Sequence, residues 1–413
     1  MSQLAIDGGT PVRTDPWPAR LQIDDREIDV VMALMNAAKS GGAFDRYGGT
    51  EVDAYEEEFA AALGTKFATG MSAGTAAIHS ALGALRLEPG TEVITAPITD
   101  QGAVMPVVAL GCIPVFADAS PECMNMSPAG IRAKLTDRTG AIVCAHIAGI
   151  PCEMDEIMAI AREKGLYVVE DCAQSHGAIY HGTLCGAIGD LGAFSLMSGK
   201  HTTSGGQGGM VVTDHEEFYW NAKRFADRGK PFNSDVGSNL FLGMNYRMTE
   251  IEAAIGRVQL DKMMGIADAR RAFVTKLEEE IADLETVRVA WYPRDSQPAW
   301  WFLLIRIYPE KLTVDKAQFA AAVAAEGIPM GAGYGAVATR AHWLQEQTAF
   351  GRHSTFPWDA VWPDGDWEWA LSVPQAEQAD ANHMRMTVHE CVGEQEAIDT
   401  ANALRKVEEA YRA

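Results

Sequence analysis

Between residues 51 and 213 the apolar pattern switches repeatedly between a helical and a strand period, and that rhythm leaves few folds open. Val52, Tyr55, Phe59 and Leu63 recur at helical spacing, with Gly64 as the stop signal. A short strand is expected at 66–69. Ser72-Ala73-Gly74-Thr75 then opens a helix with apolar Ala77, Ile78, Ala81, Leu82 and Leu85. Pro89-Gly90 turns the chain into a strand at 92–95, and apolar runs follow at 113–117, 141–145 and 167–169, separated by helical segments. Short apolar runs alternating with helices predict an α/β fold, a mostly parallel central sheet between helices. Two more runs, 192–196 and 210–212, flank a Gly-rich turn and read as a closing hairpin.

After about residue 250 the texture changes. Segments 251–264 and 267–284 read as two long helices, the second rich in charge. Eight of the ten tryptophans lie in the last third, and the Pro/Trp-rich stretch 354–370 reads as an ordered loop. A chain of 413 residues exceeds one ordinary core. The expected division is 1–264, an N-terminal arm with a large domain, and 265–413, a smaller α+β domain.

Charge narrows the partners. The 34 basic and 56 acidic residues give −22, a field that repels phosphate backbones and anionic membranes. Nucleic acid and membranes are not expected partners, although a helix N-terminus can still hold a small anion. The seven cysteines show no CxxC pair and no zinc spacing, so no metal is expected. They read as reduced core thiols of a cytoplasmic protein. The opening residues lack the basic and apolar regions of a signal peptide. The most apolar stretch, 103–117, is broken by Pro106, Gly111 and Pro114 and is too short to span a bilayer.

Several residues could carry chemistry. Gly70-Met71-Ser72-Ala73-Gly74 fits the G-x-S-x-G nucleophile elbow of a serine hydrolase. It would lie on the first clear strand, with no earlier strand to carry an oxyanion loop. Ser72 or Thr75 could instead cap the helix, or the loop could hold a phosphate on the helix N-terminus, the reading favoured here. Asp171 ends a strand, where open α/β sheets present ligand-binding groups, although such a residue can equally cap the next segment. Lys200 follows another apolar strand and precedes a Gly-rich turn that lets backbone approach a ligand. A lysine forced into such a site has a lowered pKa and can form a Schiff base. Adjacent His201 reads more readily as structural or as a pocket wall. Carboxylate, lysine and helix start are together the three points that hold pyridoxal phosphate: at its ring nitrogen, aldehyde and phosphate.

The motifs then become specific. They are Gly74-Thr75-Ala76-Ala77, Val169-Glu170-Asp171-Cys172-Ala173-Gln174-Ser175-His176-Gly177, Phe194-Ser195 with Lys200, Gly208-Gly209-Met210-Val211-Val212-Thr213, and Asn245-Tyr246-Arg247-Met248-Thr249-Glu250. In this order they resemble the DegT/StrS sugar aminotransferases, fold-type I pyridoxal-phosphate enzymes, from about Phe44 to the C-terminal helix.

The resemblance implies that Lys200 carries pyridoxal 5′-phosphate, Asp171 meets the ring nitrogen and Gln174 the ring hydroxyl. Gly74, Thr75 and Ser195 would bind the phosphate. Asn245 would reach the phosphate of a neighbouring subunit's cofactor, implying a homodimer with shared sites; the same turn also reads as a helix entry. Glutamate or glutamine would be the donor and a keto-sugar or keto-cyclitol the acceptor, with Gly8-Gly9-Thr10-Pro11-Val12-Arg13 and 374–379 leaning towards inosose-like rings and aminohydroxybenzoate precursors. Some relatives place an aromatic ring where this chain has Asp100, which could equally be a helix cap. A few members that dehydrate sugars carry histidine at the lysine position, so Lys200 favours transamination; a dehydratase or a sensor of the same family stays the alternative, which composition does not separate.

Overall fold

The computed structural model describes residues 3–41 and 49–413, so Phe44 lies outside the described residues. Seven strands form the central sheet in the order Phe67–Met71, Gly209–Thr213, Leu191–Ser195, Tyr167–Asp171, Thr139–Ala145, Glu92–Thr95 and Ile113–Phe116. The five from Leu191–Ser195 to Ile113–Phe116 pair in parallel. Gly209–Thr213 runs antiparallel to both neighbours, which makes the expected hairpin. Consecutive residues serve opposite faces: Ile142, Val168 and Val212 join one buried cluster, Val143, Val169 and Val211 the other. Both faces are covered, which is why these strands read as unbroken apolar runs.

Helix Thr50–Leu63 buries Tyr55, Phe59 and Leu63 and ends at Gly64, whose φ of 76° is the left-handed C-cap the sequence asks for. One expectation is corrected beside it. Segments 251–264 and 267–284 are not two helices, because Glu250–Glu280 is one helix of 31 residues. Its start is fixed by a capping box between Thr249 and Glu252. Gly265, between the two expected segments, costs the helix only about 1 kcal/mol, too little to end an element packed along its length. The helix lies against Thr50–Leu63 at one end and Glu394–Tyr411 at the other, so the expected division at 264/265 falls inside an element both halves share.

The smaller C-terminal domain is built on an antiparallel sheet in the order Val287–Val289, Leu303–Ile307, His383–Met386 and Met330–Gly331. The stretch 354–370 is more ordered than a loop: it contains short helices, Trp358–Val361 and the start of Trp367–Leu371. Trp343, Trp358, Trp362 and Trp367 pack on one another, which supplies the apolar contact that a loop would lack. Trp362 Nε1 also donates to the buried Glu92 Oε1 at 2.8 Å, tying this region to the large sheet. Residues 3–13 pack on C-terminal elements. The Glu326 carboxylate accepts from the Ala5 and Val12 amides, and Arg13 pairs with Glu396 and Asp399. Among the described residues, no helix is long and apolar enough to cross a membrane.

Candidate active site

The candidate residues gather at the carboxyl ends of the parallel strands. Asp171 closes its strand buried, in register with Ala193 on the neighbouring strand. Its Oδ1 accepts from the Ala173 amide at 3.0 Å, so it also caps the next turn, as one reading of the sequence had it. Burial raises its pKa, against the Ala173 hydrogen bond and the charge of Lys200.

Lys200 follows the strand Leu191–Ser195 on a loop that folds back on itself through Leu196 N to Gly208 O, Ser198 N to Gly206 O and Ser204 N to Leu196 O. It is buried, with Nζ 3.7 Å from the ring centroid of Trp301. Burial pushes its pKa down to about 8, against the pull of Asp171 and Asp100. At pH 7 about one molecule in ten then holds a neutral amine, against about one in three thousand for an ordinary lysine. His201 points elsewhere: its Nε2 donates to Ala299 O at 3.0 Å and its ring stacks on His176. It is a structural neighbour, as the sequence suggested.

Gln174 is fixed at both ends of its amide. Oε1 accepts from the Ala148 amide at 2.7 Å, and Nε2 donates to Tyr334 Oη at 3.0 Å. Burial pushes the Tyr334 phenol up to about 12, so it stays neutral. Asp100 takes the cap role: its Oδ1 accepts from Gly102 N at 2.8 Å at the turn Gln101–Ala103.

The other end of the site is the start of helix Gly74–Leu85. Its N-cap is Ala73, which has no side-chain oxygen, so neither Ser72 nor Thr75 caps it and the capping reading is not realised. The first amides therefore have no partner within the helix. A Cβ on Gly74 would lie 2.5 Å from Ser195 Cβ, and one on Gly102 2.4 Å from Thr75 Oγ1. At Gly74 only glycine fits without moving strand backbone; at Gly102 a Cβ would displace the Thr75 hydroxyl. Open amides beside two hydroxyls, in a cradle that a Cβ would fill, fit a phosphate. A buried carboxylate and a lysine of lowered pKa fit a pyridine ring and an aldehyde. The residues present fit pyridoxal phosphate.

Asn245 stands apart from the other six in this chain. It is exposed, its Oδ1 accepts from Arg247 Nε at 3.2 Å, and its main chain bridges to Asp227. The turn still touches the site's edge, since Tyr246 O accepts from the Ser72 amide at 2.7 Å. Among the described residues, no histidine bonds the Ser72 hydroxyl.

Behind Asp171, ligand-type atoms of His146, Glu170 and Cys185 lie within 4.8 Å of one another. Hydrogen bonds already engage the histidine and the carboxylate. His146 Nδ1 accepts from the Cys152 amide, which leaves the proton on Nε2 for Glu170 Oε2 at 3.0 Å. Glu170 also accepts from the Gly186, Ile188 and Gly189 amides, an arrangement that buttresses the strand end.

Sequence reasoning missed Trp301, Tyr334, Arg20 and Gln22. Arg20 Nη2 donates to Lys200 O at 2.8 Å and His201 O at 2.9 Å, and Gln22 Nε2 to Lys200 O at 3.0 Å. The concentration of tryptophan in the last third was the one visible signal, and it singled out no individual ring.

A family model described as the DegT/DnrJ/EryC1/StrS aminotransferase family matches residues 23–357. The chain belongs to this family. As a member it is a pyridoxal-phosphate-dependent aminotransferase with the matching fold, which overturns the serine-hydrolase alternative through Ser72. A putative L-glutamine:3-amino-2,3-dideoxy-scyllo-inosose aminotransferase of Micromonospora echinospora is 32% identical over 331 residues, 79% of this chain and 78% of that one. GDP-perosamine synthase of Escherichia coli O157:H7 is 35% identical over 257 residues, 62% of this chain and 70% of that one. Among solved structures, the aminotransferase from Psychrobacter cryohalolentis has a TM-score of 0.80 at 31% identity, covering 96% of this chain and 99% of that one. 3-Amino-5-hydroxybenzoic acid synthase gives 0.80 at 26%, covering 96% and 100%.

Proposed function

We propose that this aminotransferase moves an amino group from glutamate or glutamine to a keto-sugar or keto-cyclitol, with a lean to inosose-like rings. The observation that carries the reading is the buried Lys200, with its pKa lowered to about 8 beside the strand-end carboxylate of Asp171. The likeness to the inosose aminotransferase supports the acceptor class.

Pyridoxal phosphate, when bound, supplies an electron sink for the carbanion formed at the substrate's α-carbon. Lys200 would hold it through Nζ and, as a free amine, would move a proton from that carbon to the cofactor's carbonyl carbon. Asp171 would meet the ring nitrogen and, as a carboxylate, would favour a proton there. Gln174, oriented by Ala148 and Tyr334, would meet the ring hydroxyl. Gly74, Thr75 and Ser195 would hold the phosphate. Asn245 completes a neighbouring subunit's phosphate site in a homodimer. Its exposure supports this, as does the apolar surface of Ile28, Met32 and Met35 on helix Asp25–Lys39, suited to a second copy. The cytoplasmic setting is supported by the cysteines, all unpaired and six of the seven buried.

The test is the absorption spectrum of the purified holoenzyme before and after L-glutamate or L-glutamine, then after scyllo-inosose. The cofactor band should shift with one donor and return with the acceptor. Borohydride should trap the cofactor on the Lys200 peptide and fail to do so in Lys200→Ala. An unchanged spectrum with both donors overturns transamination; return with keto-sugars alone moves the acceptor class.

A further inference from the structure

Three side chains meet behind Lys200: Arg20 from the N-terminal segment, Arg270 from the long helix and Glu390 from the C-terminal domain. The Glu390 carboxylate is divided between the two cations. Oε1 accepts from Arg20 Nε at 2.8 Å, and Oε2 from Arg270 Nη2 at 2.8 Å and Nε at 3.2 Å. Each guanidinium also donates to main-chain carbonyls. Arg20 holds those of Lys200 and His201. Arg270 Nη1 donates to Trp300 O at 3.0 Å and Trp301 O at 3.3 Å. The Trp301 ring is the surface over Lys200 Nζ, and its Nε1 donates to Gly199 O at 2.8 Å. One carboxylate thus orients two rigid forks. The forks fix the main chain that carries the ammonium and the wall it lies against.

The burial shows how much depends on that carboxylate. The Arg270 side chain is 1% exposed, Glu390 13% and Arg20 20%. Burial pushes Arg270 down to about 10, against the pull of Glu390. Burial would raise Glu390, but Arg270 and Arg20 outweigh it and hold the carboxyl below its ordinary range. Without the negative charge, two guanidinium groups would face each other, one of them with no solvent.

We propose that Glu390 is a positioning residue for Lys200, acting through Arg20 and Arg270 to fix the main chain of the lysine and of Trp301. The proposal rests on Lys200 carrying the cofactor, and its test separates the two. Glu390→Gln removes the charge at nearly constant shape. Arg20→Gln removes one fork from a partly exposed side chain and keeps the test open if Glu390→Gln does not fold. In the full-length holoenzyme of either variant, kcat should fall roughly 10- to 100-fold with KM for donor and acceptor within about threefold. In the cofactor-free full chain, amide exchange of peptides covering 196–204 should quicken at least about tenfold, with the central strand 139–145 unchanged. Exchange at 196–204 unchanged in the folded variants, or kcat within about threefold of the parent, overturns the proposal. Borohydride should still trap the cofactor on the Lys200 peptide of both variants. Trapping that persists in Lys200→Ala overturns the assignment of Lys200 instead, and the exchange result does not depend on it.

Discussion

The two ends of the site are built differently. The proposed phosphate end consists of backbone and small side chains: Gly74 and Thr75 on one helix turn, and Ser195 on a strand whose register is set by sheet pairing. The lysine end depends on long side chains from far along the chain: Arg20, Gln22, Trp301 and, through Gln174, Tyr334. A site made from main chain is rigid wherever its secondary structure is rigid. A site made from distant side chains can be loosened one partner at a time.

The largest expected effect sharpens the lysine end. In the cofactor-free protein, Lys200 holds its proton only to about pH 8, whereas the unfolded chain holds it to about 10.5. Between these values the unfolded state binds more protons, so stability rises with pH. Below about 8 the penalty for burying the ammonium is present in full. Lys200→Met should relieve it, gaining about 3 kcal/mol over the parent at pH 7 and losing that advantage by about pH 10.5. Urea melts of both proteins at pH 7, 8.5 and 10 check this. An advantage independent of pH would mean that the folded lysine is not depressed.

Gly74→Ala tests the phosphate end. Its new Cβ would sit 2.5 Å from Ser195 Cβ, with strand backbone behind it that cannot yield cheaply. A loss of about 1 to 3 kcal/mol in stability is expected, with weaker binding of pyridoxal phosphate by titration. Ordinary cofactor affinity in this variant would remove the phosphate from that helix start. Tyr334→Phe is the smallest change. It deletes one hydrogen bond to Gln174 and should cost about 1 kcal/mol in transition-state stabilisation, read as a several-fold loss in kcat/KM. A loss as large as that expected for Glu390→Gln would place Tyr334 among the groups that touch the substrate.

The same contrast explains what the sequence made legible. Gly74-Thr75 and Asp171 could be found because each sits at a boundary between a strand and a helix or turn, where local periodicity and turn chemistry are informative. Lys200 could be found because a Gly-rich turn follows it. Trp301 and Tyr334 could not, since their places depend on how the antiparallel sheet docks, and periodicity carries no such register. Glu390 looked like any acidic residue ahead of a helix; only contacts with Arg20 and Arg270 set it apart. The long helix runs through the expected break, because one interior glycine, Gly265, costs it only about 1 kcal/mol.

Arg20 and Glu390 stand 370 residues apart, yet they meet behind the lysine. During synthesis the arginine leaves the ribosome long before its partner exists, roughly 20 to 70 s at ordinary elongation rates. The central sheet can close in that interval, because all of its strands lie before residue 214. The seat of Lys200 cannot. A nascent chain can therefore hold its central sheet before the Arg20–Glu390 contact behind Lys200 exists.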